Sequence, residues 1–203
     1  MNQFEVTPLF SSVICAFFLG ESADNFYSKL IEETIFNKTY YGSGSEVSED
    51  FNVLEKYPDL KKEIVNKFLE FKNNVLRLES TDFKMTTSWV TKTPPNSYSQ
   101  RHSHKNSYYS GILYLTDHSD QSPIMFFNPN ENFNSILTNS PVEYNVLNST
   151  TWTVHPEKNK VLFFPSYLDH MIMKNLSSDS RYSIAFNFFP TGEIGNNDSY
   201  IML

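Results

Sequence analysis

Residues 161–189 read VLFFPSYLDHMIMKNLSSDSRYSIAFNFF, apolar-rich runs broken by the turn-forming Ser177-Ser178-Asp179-Ser180. β-branched and aromatic residues on both sides of a polar four-residue break predict an antiparallel pair, Met171 to Leu176 and Tyr182 to Phe189. Around such a turn Leu176 falls opposite Arg181, Lys174 opposite Ser183, Ile172 opposite Ala185 and His170 opposite Asn187. Side chains alternate between the two faces of a strand. Arg181, Ser183, Ala185 and Asn187 therefore share a face with His170, while Tyr182, Ile184, Phe186 and Phe188 make an unbroken apolar row on the other. The apolar row needs a cover. The opposite face is an odd core lining, because an inward guanidinium must be paired or must meet an anionic ligand. A paired scaffold arginine, or a shifted register that puts Arg181 outside, is the competing reading.

The cover is predicted in the first 80 residues. Phe26, Leu30, Ile31 and Ile35 recur at helical spacing in a window opened by Ser22, and Leu60, Ile64, Phe68, Phe71 and Val75 do so after Pro58. Between them Tyr40 to Asp50 is polar and Gly/Ser-rich, which predicts a loop free to reach over a site. Upstream, Leu9 to Phe18 reads as a buried strand. Beyond residue 80 the predicted strands are Phe83 to Lys92, Tyr98 to Ser103, Tyr108 to Leu115, Ile124 to Asn128, Val161 to Phe164 and the terminal pair. Helices first and strands afterwards predict a mainly β fold, a jelly roll of two facing sheets with the helices packed on one outer face. The expected organisation is one domain over 1–203: a strand and supporting helices to residue 80, a jelly-roll core over 81–190 and a tail over 191–203.

The chain has 203 residues, 16 basic and 23 acidic, and a net charge of −7. That length buries a sizeable core, and 16% aromatic content argues against disorder. The acidic balance without a Lys/Arg cluster argues against general nucleic-acid affinity and leaves only a local basic groove open. A single cysteine, Cys15, excludes an intramolecular disulfide or a Cys-based zinc site and reads as a small buried apolar residue. The apolar run Pro8 to Leu19 is too short to span a bilayer and lacks the positive start of a secretory signal. A cytoplasmic protein is expected.

Arg101-His102-Ser103-His104 precedes the aromatic strand Tyr108 to Leu115. Histidines two apart on a strand project to one side with Cα atoms about 6 to 7 Å apart, so both reach one ion where the strand end bends. Two unconnected surface histidines would give the same pattern. His118 and His155 sit beside turn residues and read as exposed. Trp89 and Trp152 read as core or sheet aromatics.

Taken together, the two histidines, the distant His170 and the Arg-x-Ser at Arg181 and Ser183 resemble the iron(II)- and 2-oxoglutarate-dependent oxygenases. The phrases that carry the resemblance are PLFSSV at 8–13, NSYSQRHSHKNSYYSGILYL at 96–115, KVLFFPSYLDHMI at 160–172 and RYSIAFNFFP at 181–190. The chain looks closest to a small group from bacteria and marine phages related to the prolyl hydroxylases. The resemblance implies a double-stranded β-helix holding Fe(II), with 2-oxoglutarate as cosubstrate and O2 as oxidant. It makes His102 the first metal ligand and His170 the distal one. Arg181 and Ser183 would bind the far carboxylate of 2-oxoglutarate, with Tyr114 donating to it as well. His104 stands where the family's usual acid falls, which implies three neutral imidazoles in place of two histidines and a carboxylate. Asp169 is near in sequence, but its parity points it away.

The implied function is a hydroxylase of a peptide, amino acid or small metabolite, with Asn187 and Tyr98 as substrate contacts or as supports behind the ligands. The rivals are a non-catalytic metal-binding jelly roll, such as a virion component, and a three-histidine cupin-type dioxygenase that uses no 2-oxoglutarate. No membrane partner is expected, the location would be the host cytoplasm if the source is viral, and the oligomeric state is left open, a homodimer among the options.

Overall fold

The computed structural model describes residues 7, 9–20, 26–37, 43–78, 80–117, 122–130 and 141–203. Its strands are β1 (Cys15–Phe18), β2 (Phe36–Asn37), β3 (Glu46–Ser48), β4 (Asp82–Thr93), β5 (Tyr109–Tyr114), β6 (Ile124–Phe127), β7 (Thr151–Val154), β8 (Lys160–Pro165), β9 (His170–Ile172), β10 (Arg181–Thr191), β11 (Glu193–Ile194) and β12 (Ile201–Met202). The α-helices are α1 (Tyr27–Glu33) and α2 (Pro58–Asn74). β10 lies at the centre of a seven-stranded antiparallel sheet in the order β1-β8-β5-β10-β4-β3-β2, and β7-β6-β9 form a second, smaller sheet.

The apolar row of β10 faces the helices, as its parity requires. Ile184, Phe186 and Phe188 are fully buried in a cluster with Leu60, Ile64, Phe68 and Phe71 of α2 and Leu30 of α1. The ring of Phe68 stacks on Phe188 at 4.0 Å. A Phe→Ala truncation of such a side chain typically costs about 3–5 kcal/mol, so α2 is a major stabiliser of the large sheet. Gly111 lets this layer close, because a Cβ there would stand 2.2 Å from the Phe186 ring. On the opposite face Ile112, Tyr114, Leu162 and Phe164 meet Ile124, Phe126 and Ile172 of the small sheet. The functional residues sit in this inner layer.

Several expectations are corrected. β9 and β10 do not form a hairpin: β9 pairs with β6, and β10 pairs with β4 and β5, so Asn187 lies opposite Thr87 and Ser110 and not opposite His170. The cause is Asn175, whose side-chain N–H donates to the carbonyls of Thr93 and Asp179 while its backbone pairs with Asn96 and Ser97. These bonds turn the chain from one sheet to the other. The inward parity survives because each strand faces the interior independently. Tyr98 to Ser103 is not a regular strand and pairs only through bridges, Tyr98 with Gly44 and His102 with His170.

The N-terminal strand is confined to Cys15–Phe18 and pairs with β8, while Leu9 and Phe10 are exposed. Cys15 is half-buried against the helical layer. α1 stops at Glu33 because Thr34 turns extended, which leaves Ile35 exposed; Ser22 lies outside the described residues. Residues 46–48 of the expected loop extend the large sheet as β3, anchored by the Ser48 hydroxyl, which accepts the Val90 N–H at 3.0 Å. β7 was not expected in its Asn/Ser/Thr-rich surroundings. β11 and β12 make the tail a small hairpin. Among the described residues no helix is long and apolar enough to cross a membrane.

Candidate metal centre and anion pocket

The bend after Tyr98 carries the first two histidines to the third. His102 and His170 form an antiparallel bridge, each N–H donating to the other's carbonyl at 2.9 Å, and the His104 N–H donates to the Ser166 carbonyl at 3.0 Å. Backbone pairing thus fixes all three Cα positions. Their ring nitrogens converge within 4.8 Å of one another, with ring centroids 4.4 to 5.2 Å apart.

Outer contacts orient two of the rings. His102 Nδ1 lies 2.7 Å from the Gln100 carbonyl and His170 Nδ1 lies 3.0 Å from that of Leu168. With Nδ1 turned to a carbonyl, Nε2 is the ring nitrogen that can serve as the ligand atom. Burial, reinforced by the His102 imidazole, holds His104 down to about 4, and the same causes with His104 added hold His170 down to about 3. Both are therefore neutral donors at physiological pH. Three converging imidazoles make a borderline nitrogen site suited to a divalent transition metal.

Asp169 does not join them. Its carboxylate accepts from Arg101 Nε at 2.9 Å, and the Arg101 guanidinium lies over the Phe127 ring at 4.1 Å. The remaining ring neighbours of the histidines are Trp89 at 5.7 Å from His104, with Phe126 and Phe164 at 5.9 and 4.9 Å from His170.

The second group surrounds Arg181. In register, Arg181 stands opposite Thr93 of β4, and Ser183 opposite Tyr114 of β5. The Arg181 side chain is fully buried; Nη1 donates to the Ser122 carbonyl at 2.8 Å and Nη2 to the Ser183 hydroxyl at 3.2 Å. Its carbon lies 5.3 Å from the Tyr114 ring centroid. Among the described residues no carboxylate partner is present, and Nε and the Tyr114 hydroxyl have no hydrogen-bond partner. Burial pushes Tyr114 up to about 12, against the pull of Arg181, so its hydroxyl remains a donor. A guanidinium stays protonated even when burial lowers its pKa, as here. This is a buried cation with vacant donors around it.

The structure does not bring Asn187 or Tyr98 into the imidazole cluster. Asn187 accepts from Ser110 Oγ at 2.7 Å and donates to Thr87 Oγ1 at 3.2 Å, in a chain that continues through Ser166 to Ser107. Tyr98 is 39% exposed, and its backbone holds Ser43 and Ser45. His155 is exposed, as expected, whereas His118 lies outside the described residues. Trp152 pairs with Phe126 and is 45% exposed. Sequence reasoning missed Thr93, opposite Arg181 and one residue past the predicted end of its strand, and Ser122, whose carbonyl accepts from Arg181.

Residues 87–187 match the family model described as "Putative 2OG-Fe(II) oxygenase". No curated protein matches the chain. Among solved structures, the chain resembles a 2OG-Fe(II) oxygenase family oxidoreductase from Burkholderia pseudomallei, at 9% identity and TM-score 0.63, covering 87% of this chain and 83% of that one. It also resembles a Trichoplax adhaerens prolyl hydroxylase in complex with a hypoxia inducible factor peptide fragment (17%, TM-score 0.60, 87% and 83% covered). A third is HygX from Streptomyces hygroscopicus with nickel, 2-oxoglutarate and hygromycin B bound (10%, TM-score 0.58, 89% and 84% covered). At these identities the likeness is one of fold, a double-stranded β-helix.

Proposed function

Residues 87–187 belong to the 2OG-Fe(II) oxygenase family, and on that premise we propose that this oxygenase is a hydroxylase acting on a peptide, an amino acid or a small metabolite. The observation that carries the reading is Arg181, a fully buried guanidinium whose Nε, like the neighbouring Tyr114 hydroxyl, has no partner among the described residues. A buried charge left uncompensated is costly, and a carboxylate forked onto Arg181 removes that cost.

In this reading His102, His104 and His170 hold Fe(II), two of them through Nε2. Arg181 and Tyr114 receive the distal carboxylate of 2-oxoglutarate, and Ser183 braces the guanidinium. When bound, iron and 2-oxoglutarate supply oxidising power: O2 and the oxo acid give succinate and carbon dioxide, and a substrate C–H becomes C–OH. The protein's part is to orient and to shield. Phe126, Phe164 and Trp89 exclude water around the imidazoles, and Arg101 keeps the Asp169 carboxylate engaged outside the cluster. With three neutral ligands, the site keeps its full positive charge until the dianionic cosubstrate arrives. Cosubstrate binding and metal retention are thereby coupled.

The peptide fragment and the hygromycin B named with two of the similar structures support a peptide or a small molecule as substrate. Anaerobic addition of 2-oxoglutarate to the Fe(II)-loaded protein tests the reading. The expected result is the visible charge-transfer band of a chelated 2-oxo acid, and a featureless spectrum with metal demonstrably bound would oppose it.

A further inference from the structure

The carbonyls of Gln100 and Leu168 hold the rings of His102 and His170, but among the described residues no hydrogen bond holds the ring of His104, which has Trp89 beside it at 5.7 Å. The aim of that third imidazole is therefore set by its backbone. Ser166, in the turn between β8 and β9, is where this backbone is attached: its carbonyl accepts the His104 N–H at 3.0 Å, and its own N–H donates to the Tyr108 carbonyl at 3.1 Å. Ser166 is fully buried, and its hydroxyl lies 2.7 Å from Ser107 Oγ and 2.8 Å from Ser110 Oγ. One proton and two lone pairs let a single hydroxyl serve both. Ser166 thus ties the segment from His104 to Ser110 at His104, Ser107, Tyr108 and Ser110, and the turn it occupies leads directly into His170.

The two hydroxyl partners do not depend on it. Ser107 also donates to the Tyr109 carbonyl at 3.1 Å, and Ser110 donates to Asn187 Oδ1 at 2.7 Å. Loss of the Ser166 hydroxyl orphans neither of them; what it releases is the join between the two segments that carry the histidines. Resting on the three-histidine metal reading, we infer that Ser166 is a positioning residue for the third metal ligand, its hydroxyl locking the 104–110 segment to the β8–β9 turn so that His104 meets the ion held by His102 and His170. Residues behind a ligand typically change metal affinity by about 10–100-fold when altered.

The test titrates Co(II) into the full chain and reads affinity by calorimetry, the visible absorption of the bound ion, and the melting temperature of the metal-free protein. Ser166→Ala is expected to bind Co(II) about tenfold more weakly, with an absorption spectrum shifted toward that of His104→Ala. Added to His104→Ala, the same change should cost less than about twofold, because residues that act through one ligand are not additive. A serine with a merely structural role would lower the melting temperature and leave Co(II) affinity and spectrum as in wild type. Ser107→Ala and Ser110→Ala each cut one hydroxyl contact and leave Ser166 in place; if Ser166→Ala does not fold, at least one of them should weaken Co(II) severalfold with the same spectral shift.

Wild-type Co(II) affinity and spectrum in Ser166→Ala, or in both Ser107→Ala and Ser110→Ala where that variant does not fold, would overturn the inference, as would an undiminished tenfold loss in the His104→Ala background. If His104→Ala weakens Co(II) and Ser166→Ala does not, this inference alone falls. If Co(II) affinity is the same in wild type and in His102→Ala/His170→Ala, the metal reading falls with it.

Discussion

Asp169 is the immediate neighbour of His170 in the chain, yet its carboxylate is engaged by Arg101, 2.9 Å away, and not by the imidazole cluster. Alternation along the strand sends adjacent side chains to opposite faces, and the cation on the outer face secures the acid there. Among the described residues the centre gathers three imidazoles.

His104 is therefore expected to be a working ligand and Asp169 a bystander. Metal titration should show His104→Ala binding a divalent ion at least about tenfold more weakly, a loss at least as large as that for altering a residue behind a ligand. His104→Asp should retain the ion, and Asp169→Asn should leave affinity unchanged. Wild-type affinity in His104→Ala would remove His104 from the ligand set.

The depressed pKa values of His104, about 4, and His170, about 3, make the metal-free protein acid-sensitive. Between those values and the ordinary imidazole pKa near 6.5, the unfolded chain takes up protons that the folded chain refuses. Stability therefore falls as pH drops below about 6.5, by on the order of 1 kcal/mol per imidazole for each pH unit until the folded-state values are reached. Urea unfolding of metal-free protein at pH 7.5 and 5.5 checks this, with the lower midpoint expected at 5.5. Equal midpoints would mean that the two rings are not held neutral.

Trp89 lies 5.7 Å from the His104 ring, whereas the only other tryptophan, Trp152, is on the small sheet. Co(II) at the imidazole cluster should quench fluorescence mainly through Trp89. Titration of Trp89→Phe should lose most of the quenching seen in wild type while binding the ion normally. Undiminished quenching in that variant would place the ion elsewhere.

How much of this was legible in the sequence depended on whether the signal was local. The apolar row from Ile184 to Phe188 and the α2 pattern from Leu60 to Phe71 are periodicities, and periodicity alone sets the face each residue presents. The inward side of Arg181 followed from the same alternation. Strand partners are not local. The turn residues Ser177 to Ser180 predict a hairpin, but hydrogen bonds from Asn175 to Thr93 and Ser97 decide where the chain turns, and nothing in the spacing shows them. The convergence of His102 and His104 on His170 required a bend after Tyr98 that regular strand geometry does not supply. Thr93 was out of reach for the plainest reason, a strand end placed one residue short.

The central claim is that the buried guanidinium of Arg181 awaits the distal carboxylate of 2-oxoglutarate, and calorimetric titration of metal-loaded wild type, Arg181→Ala and Arg181→Lys tests it most directly. A hydrogen bond to a charged group contributes about 1.5–3 kcal/mol, so Arg181→Ala should bind 2-oxoglutarate at least about tenfold more weakly, with lysine restoring only part because it keeps the charge and loses the fork. Metal affinity should be the same in all three. Equal 2-oxoglutarate binding by wild type and Arg181→Ala, or none by either, would contradict the account.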